Sequence, residues 1–415
     1  MYYIGQGISL IGTWMQRVAL GWLVFRLTNS PFLLGIVSFS GELPIFLTTT
    51  FAGVLIDRWN KRRLLIITQV LAMIQALILS VLFFTKTISI WHIIALSIFM
   101  GLINAFDMPC RQSLIIDLLE KKEDIGNAIA LNSSMFNLAR LIGPTIAGIL
   151  IATTGEGICF LLNAVSYLSA ILALMAMKIK QKVIRPISKS IFEELRQGFS
   201  YAYNLMPIRY ILFLIIVISL TGLSYIVLMP VVARVMLKGG PQTMGFLMTG
   251  SGIGALTGAF YLASRKNQTG LINIIPIATL IFGFGLITLS ASRTLYLSIL
   301  IMFFVGFGMM SFNATSNTVL QTIVDDDKRG RVMSLYTMSF IGTTPFGSLL
   351  AGTLANKIGA SLTILIGGII SVIIAGLFIH QLPKLRKETN LISPKLGITT
   401  EISEEIQTAS QIDPH

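Results

Sequence analysis

The stretch Gly53-Val54-Leu55-Ile56-Asp57-Arg58-Trp59-Asn60-Lys61-Arg62-Arg63 changes character within two residues. An apolar run closes at Ile56, five of the next seven residues are charged, and apolar sequence resumes at Leu64. The flanking apolar segments, near 33–56 and 64–85, are long enough as helices to cross a hydrocarbon layer of about 30 Å. The charged turn therefore marks a watery face between two spans, and its excess of Lys and Arg indicates which face that is.

The same alternation runs through the chain. Hydrophobic residues make up 54% of the 415 residues and charged residues only 12%, about half the charge of a soluble domain. Together with a mean hydropathy of +0.80, this excludes a soluble enzyme and predicts an all-α polytopic membrane protein. Twelve spans are expected, near 2–27, 33–56, 64–85, 91–112, 128–153, 158–178, 208–235, 240–263, 271–290, 295–320, 333–355 and 360–380. Met1-Tyr2-Tyr3 carries no basic flank and no small-residue cleavage site follows, so the first helix is expected to belong to the mature protein.

The net charge of +13 could suggest nucleic acid, but the basic residues sit in small clusters between spans rather than on one folded face. Twenty-two Lys and Arg fall on the side of the 57–63 turn and six on the other, which places both termini in the cytoplasm of a cell whose inner or plasma membrane holds the protein. Cys110 and Cys159 are expected near opposite faces, too far apart for a disulfide. The three histidines show no metal-ligand spacing.

The longest basic loop divides the chain into a bundle over 1–178, a cytoplasmic linker over 179–207 and a second bundle over 208–380. The linker contains Ser190-Ile191-Phe192-Glu193-Glu194-Leu195-Arg196, expected to continue as an amphipathic helix on the inner leaflet. A polar tail over 381–415 is expected to be disordered. The halves repeat one another: Gly148 and Gly155 close the fifth span, and Gly352 and Gly359 close the eleventh with the same spacing. Two pseudo-symmetric six-helix bundles follow, an arrangement of many secondary transporters.

Charges deep in spans carry the functional information. Arg17, Glu42 and Arg140 lie about half-way along helices 1, 2 and 5, where an unpaired charge costs at least about 2.5–3.5 kcal/mol. Burial favours the neutral form of Glu42 and a neighbouring arginine favours the charged one, a competition that a proton–substrate exchanger can use. A static ion pair that positions helices is the alternative. Two arginines against one glutamate favour an anionic or acceptor-rich cargo, such as a catecholate or carboxylate siderophore, over cationic drugs. Asn104, Asn137, Asn163, Asn313 and Asn317 are candidates for a central cavity, or for hydrogen bonds across helices. Asp107 and Arg111, four apart on one helix face, can pair with each other or with the 57–63 turn.

Several motifs resemble those of one known group. Gly53 to Arg63 resembles the signature loop of the major facilitator superfamily, with Asn60 where that loop usually has glycine. A left-handed asparagine would preserve the turn. Ala105-Phe106-Asp107-Met108-Pro109-Cys110-Arg111-Gln112, Asn137-Leu138-Ala139-Arg140-Leu141-Ile142-Gly143-Pro144 and Arg329-Gly330-Arg331-Val332-Met333-Ser334 are similar to the twelve-span drug–proton antiporter branch of macrolide and enterobactin exporters. The resemblance implies alternating access, with Gly53, Asp57, Arg58 and Arg62 gating the inner face; Asp107 and Arg111 are candidates for the same gate or for plain anchoring at the interface. It also implies that Asp57 docks on the N-terminus of helix 11, whose partial positive charge favours an anion. Gly143, Pro144 and Gly148 resemble the antiporter motif of efflux members, where glycine permits close packing and proline a bend.

The reading is a proton-coupled exporter of an amphipathic small molecule, siderophore or drug-like, with protons, cargo and the lipid bilayer as its partners. No Walker loop is present, so the energy source is expected to be the proton gradient, with no cofactor and no metal. An importer or uniporter of the same fold, and a non-transporting sensor or scaffold, remain open alternatives at this level.

Overall fold

The computed structural model describes residues 2–56, 59–117, 125–177, 199–265, 270–325 and 328–392. Every regular element among them is helical. In chain order these are α1 (Tyr2–Thr28), α2 (Pro31–Ile56), α3 (Lys61–Phe84), α4 (Ile90–Asp117), α5 (Ile125–Thr154) and α6 (Glu156–Ala176). After a helical piece at 199–204 come α7 (Met206–Met236), α8 (Pro241–Ala263), α9 (Leu271–Ala291), α10 (Leu295–Ile323), α11 (Arg329–Ile341), α12 (Thr344–Ile358) and α13 (Ala360–Ile392).

Eleven of these helices are long and apolar enough to cross a membrane. The exception corrects the sequence reading: the span expected over 333–355 is two helices, α11 and α12, of 13 and 15 residues. The break has a local cause. Pro345 lacks the N–H that would bond the Ile341 carbonyl four residues back, and its ring crowds that carbonyl; Ile341 is where α11 ends. Pro44, Pro109, Pro144, Pro276 and Pro383 all lie inside unbroken helices.

Two further expectations change. Asn60 is extended (φ −68°, ψ 104°) rather than left-handed, and its side chain accepts a hydrogen bond from the Arg63 backbone N–H at 3.0 Å. It thus caps the N-terminus of α3, a role for which Asn is well suited. The tail is ordered beyond 380: α13 runs to Ile392, with Leu385 fully buried and Arg386 donating to Asn273 of α9 at 2.7 Å. Residues 393–415 and linker residues 178–198 lie outside the described residues. Just after them, Phe199 and Tyr203 stack on one exposed face while Ala202 is buried.

α7 is irregular along its second half. A π turn at Ile218–Gly222 leads into a 3-10 stretch at Leu223–Leu228, and a second π turn closes the helix at Val232–Met236.

Helices of each half pack mainly on one another: α1 on α5 and α6, α3 on α4 and α6, α10 on α8 and α9, and α9 on α13. The halves meet mainly along two helix pairs, α2 with α12 and α5 with α8, with lesser contacts of α1 and α2 on α7. Both main contacts rest on glycine. A Cβ at Gly148 would lie 2.9 Å from the Pro241 carbonyl oxygen, and one at Gly352 would lie 2.7 Å from that of Pro31. Gly155 and Gly359, seven residues further on, both take positive φ (86° and 87°) ahead of the next helix, a conformation that glycine adopts without steric cost. The glycine repeat seen in the sequence is therefore a structural repeat.

Candidate substrate cavity

α1 turns one face toward the interface between the halves. Thr13, Trp14, Arg17, Gly21 and Val24 recur at helical spacing along it and line a cavity of about 450 Å³. α2 contributes Ser38 and Glu42, α4 Asn104, and α5 Phe136 and Arg140. The irregular part of α7 supplies Tyr225, Ile226 and Met229 from the other side, and α12 supplies Ser348.

The three deep charges named from the sequence are thus brought to one wall. They are not, however, a closed ion-pair set: among the described residues, Glu42 has no basic group within 4.0 Å. Among the described residues its one side-chain hydrogen bond comes from the other half, where Ser348 Oγ donates to Oε2 at 3.5 Å. Arg17 lies with its guanidinium carbon 5.1 Å from the Trp14 ring centroid and is close enough to act electrostatically on both Glu42 and Arg140. Arg140 reaches across the interface, its Nη2 3.7 Å from Met309 Sδ. The Tyr225 hydroxyl, 3.4 Å from Ser251 Oγ, also lies within electrostatic reach of Arg140.

The asparagines separate. Asn104 lines the cavity, whereas Asn137, Asn163, Asn313 and Asn317 are not among its lining residues. Asn163 is fully buried and donates to Gln16 Oε1 at 2.8 Å, while Gln16 donates in turn to Gln75 Oε1 at 2.9 Å. Asn317 accepts from Gln321 one turn on, and the backbone carbonyl of Asn313 accepts from the Tyr336 hydroxyl at 3.4 Å. Asn163 thus bonds across helices, and none of the four lines the cavity.

Of the gating candidates, Asp57 and Arg58 lie outside the described residues, and Gly53 continues α2. Asp107 is buried and pairs with Arg111 on its own helix, as the spacing allowed. It also accepts from Thr68 Oγ1 at 2.8 Å and Gln69 Nε2 at 2.7 Å, both on α3. Arg62 donates to the carbonyls of Leu174 and Met175 at 2.8 and 2.6 Å, satisfying groups at the end of α6. Gly143 packs where a Cβ would meet Trp14 Cβ at 2.6 Å, so α1 and α5 approach closely behind the cavity. The Pro144 carbonyl and Gly148 form the contact with Gly245 of α8.

Sequence reasoning missed Ser348, Tyr225 and a set of methionines, Met229, Met244, Met248, Met302 and Met309, on the wall facing the charges. It also missed Arg26, which pairs with the buried carboxylate of Glu156 through two hydrogen bonds at 2.8 and 3.0 Å.

Known proteins bear on this arrangement. The chain matches the family described as transmembrane secretion effector over residues 1–410. It is 30% identical to the staphyloferrin A transporter of Staphylococcus aureus, over 93% of this chain and 97% of that one. It is 24% identical to the multidrug efflux pump Tap of Mycolicibacterium fortuitum, over 92% and 93%, and 19% identical to macrolide efflux protein A of Streptococcus pyogenes, over 90% and 93%. Among solved structures, a POT family transporter in complex with 5-aminolevulinic acid superposes with a TM-score of 0.73 at 14% identity, covering 92% and 96% of the two chains. An inward-facing bacterial homologue of the lysosomal transporter Spinster superposes with a TM-score of 0.71 at 13% identity, covering 93% and 97%. The fold, the cavity between its halves and these relatives agree: the chain is a membrane transporter of the transmembrane secretion effector family, within the major facilitator superfamily.

Proposed function

We propose that this transporter exports an amphipathic small molecule, siderophore or drug-like, in exchange for protons across the cytoplasmic membrane, with both termini in the cytoplasm. The observation that carries the reading is the position of Glu42. Among the described residues it is the one carboxylate on the cavity wall, it shares that wall with two arginines, and its side-chain hydrogen bond comes from Ser348 of the opposite half. Rocking the halves changes that contact and the charge around it, so protonation and conformation are linked. Export is supported by the names of two relatives, both efflux proteins, and by the efflux-like Gly143-Pro144-Gly148 pattern at the α1, α5 and α8 contacts.

The inner gate is assigned to the 53–63 turn with Asp107 and Arg111. Arg62 and Asp107 hold α3 to its neighbours, which would keep the turn in register while Asp57 engages and releases the start of α11.

The test is efflux from cells and from proteoliposomes under an imposed proton gradient. Preloaded cargo should leave faster with the gradient than without it, and a protonophore should raise cellular retention. Movement indifferent to the gradient in both systems would leave a uniporter in place of this reading.

A further inference from the structure

We infer that the cargo is an anion with an apolar body, seated with its charged group between Arg17 and Arg140 and its body against the methionine wall. This rests on the transport reading above but is independent of its direction and of its proton coupling.

The cavity has two unlike walls. All three of its ionisable groups with deep positions, Arg17, Glu42 and Arg140, come from the first half. The facing wall from the second half is mainly aliphatic and thioether, with five methionines. Methionine is unbranched and polarisable, so such a wall accepts apolar bodies of varied shape.

Hydrogen-bonding capacity then decides the sign of the cargo. A guanidinium carries five N–H donors in a fixed fork and accepts nothing. Among the described residues, Arg140 finds one acceptor, the weakly accepting Met309 sulfur at 3.7 Å. Arg17 rests on the Trp14 ring and lies exposed to the cavity. Neither forms an ion pair with Glu42 within 4.0 Å. The wall therefore presents two forks able to receive a carboxylate or catecholate, planar acceptors that guanidinium binds through paired bonds. A cation would meet an excess of like charge and only one carboxylate. The orientation of the body follows from the same asymmetry, because the second-half wall carries the five methionines and none of the three deep charges.

Binding to the full-length protein in nanodiscs tests this without any gradient. The probes are dansylglycine, an aromatic carboxylate, and dansylcadaverine, an ammonium on the same fluorophore, each read against empty nanodiscs. Dansylglycine should bind at least about tenfold more tightly than dansylcadaverine, and Arg140→Gln should weaken it by about tenfold or more. Arg17→Gln should act in the same direction. Arg140→Lys should retain part of the preference, which keeps the test open if the glutamine variant does not fold. Equal or stronger binding of the ammonium, binding of neither probe, or unchanged anion affinity in the arginine variants would overturn the inference. Anion binding without gradient-driven efflux would instead count against proton-coupled export alone, and gradient-driven efflux of cations would count against the anion assignment alone.

Discussion

Ser348 on α12 donates its hydroxyl to Glu42 on α2 at 3.5 Å, a hydrogen bond between residues 306 apart that spans the boundary between the two halves. Glu42 otherwise faces the cavity, with Arg17 as its electrostatic neighbour. On the proposed exchange of cargo for protons, a carboxylate whose side-chain hydrogen bond comes from the opposite half is suited to couple charge to conformation.

Glu42→Gln keeps the shape and the acceptor for Ser348 but removes titration. Driven efflux should be lost while downhill exchange of cargo persists. Ser348→Ala removes a single long hydrogen bond and should change rates by about tenfold at most. Both are read by counterflow and gradient-driven transport in proteoliposomes. A glutamine variant that still concentrates cargo would make Glu42 structural.

Arg26 and Glu156 test a different kind of charge. Glu156 is 3% exposed at the start of α6, while Arg26 is 45% exposed and also lies over the Phe83 ring, 5.9 Å from its centroid. Arg26→Ala leaves a buried carboxylate without its cation and should destabilise by up to about 3–5 kcal/mol. The double variant Arg26→Ala, Glu156→Gln should recover part of the lost Tm, because the uncompensated charge has gone. Equal Tm values for the single and double variants would mean that the pair is not coupled.

Asp107 accepts from Thr68 and Gln69 on α3 and from Arg111 on its own helix, so its removal takes away the buried carboxylate that ties α3 to α4. Asp107→Ala should lower Tm and membrane abundance together, again by about 3–5 kcal/mol of stability. Thr68→Ala should cost about 0.5–1.5 kcal/mol. If Asp107→Ala abolishes transport at normal abundance and Tm, the residue acts in gating rather than in holding α3.

Much of this was legible in the sequence because a charge inside an apolar span stands out whatever surrounds it. Arg17, Glu42 and Arg140 were found that way, and all three reach the cavity. Asn104 and Asn163 look alike in sequence, yet one lines the cavity and the other is fully buried against Gln16. Which face of a helix a residue occupies depends on the rotation of that helix against its neighbours, and no local pattern states it. The same applies to Ser348 and the methionines, which are ordinary residues in any span. Pro345 breaks a helix while five other prolines do not. The order of 381–392 was missed because Leu385 and Arg386 find partners on distant helices, not in their own segment.

The glycine contacts between the halves give the sharpest test of conformational change. At the end of the bundle where α2 begins, a Cβ on Gly352 would sit 2.7 Å from the Pro31 carbonyl oxygen and 2.8 Å from Gly35 Cα. Both are backbone atoms and cannot turn aside, so α2 and α12 must part there. Overpacking of this kind costs about 1–3 kcal/mol, charged only against the state in which this end is closed. Gly352→Val should therefore shift the population toward the state open at that end, on the order of tenfold. Gly376→Val serves as the control, since nothing lies within 4 Å of a Cβ there. The readout is labelling of a single cysteine at Leu34, a cavity residue near that end, by an impermeant maleimide after Cys110 and Cys159 are replaced by serine. Labelling should accelerate in Gly352→Val, less so in Gly352→Ala, and not in the control. Unchanged labelling with normal transport in Gly352→Val would mean that the α2–α12 contact yields without cost and does not gate the cavity.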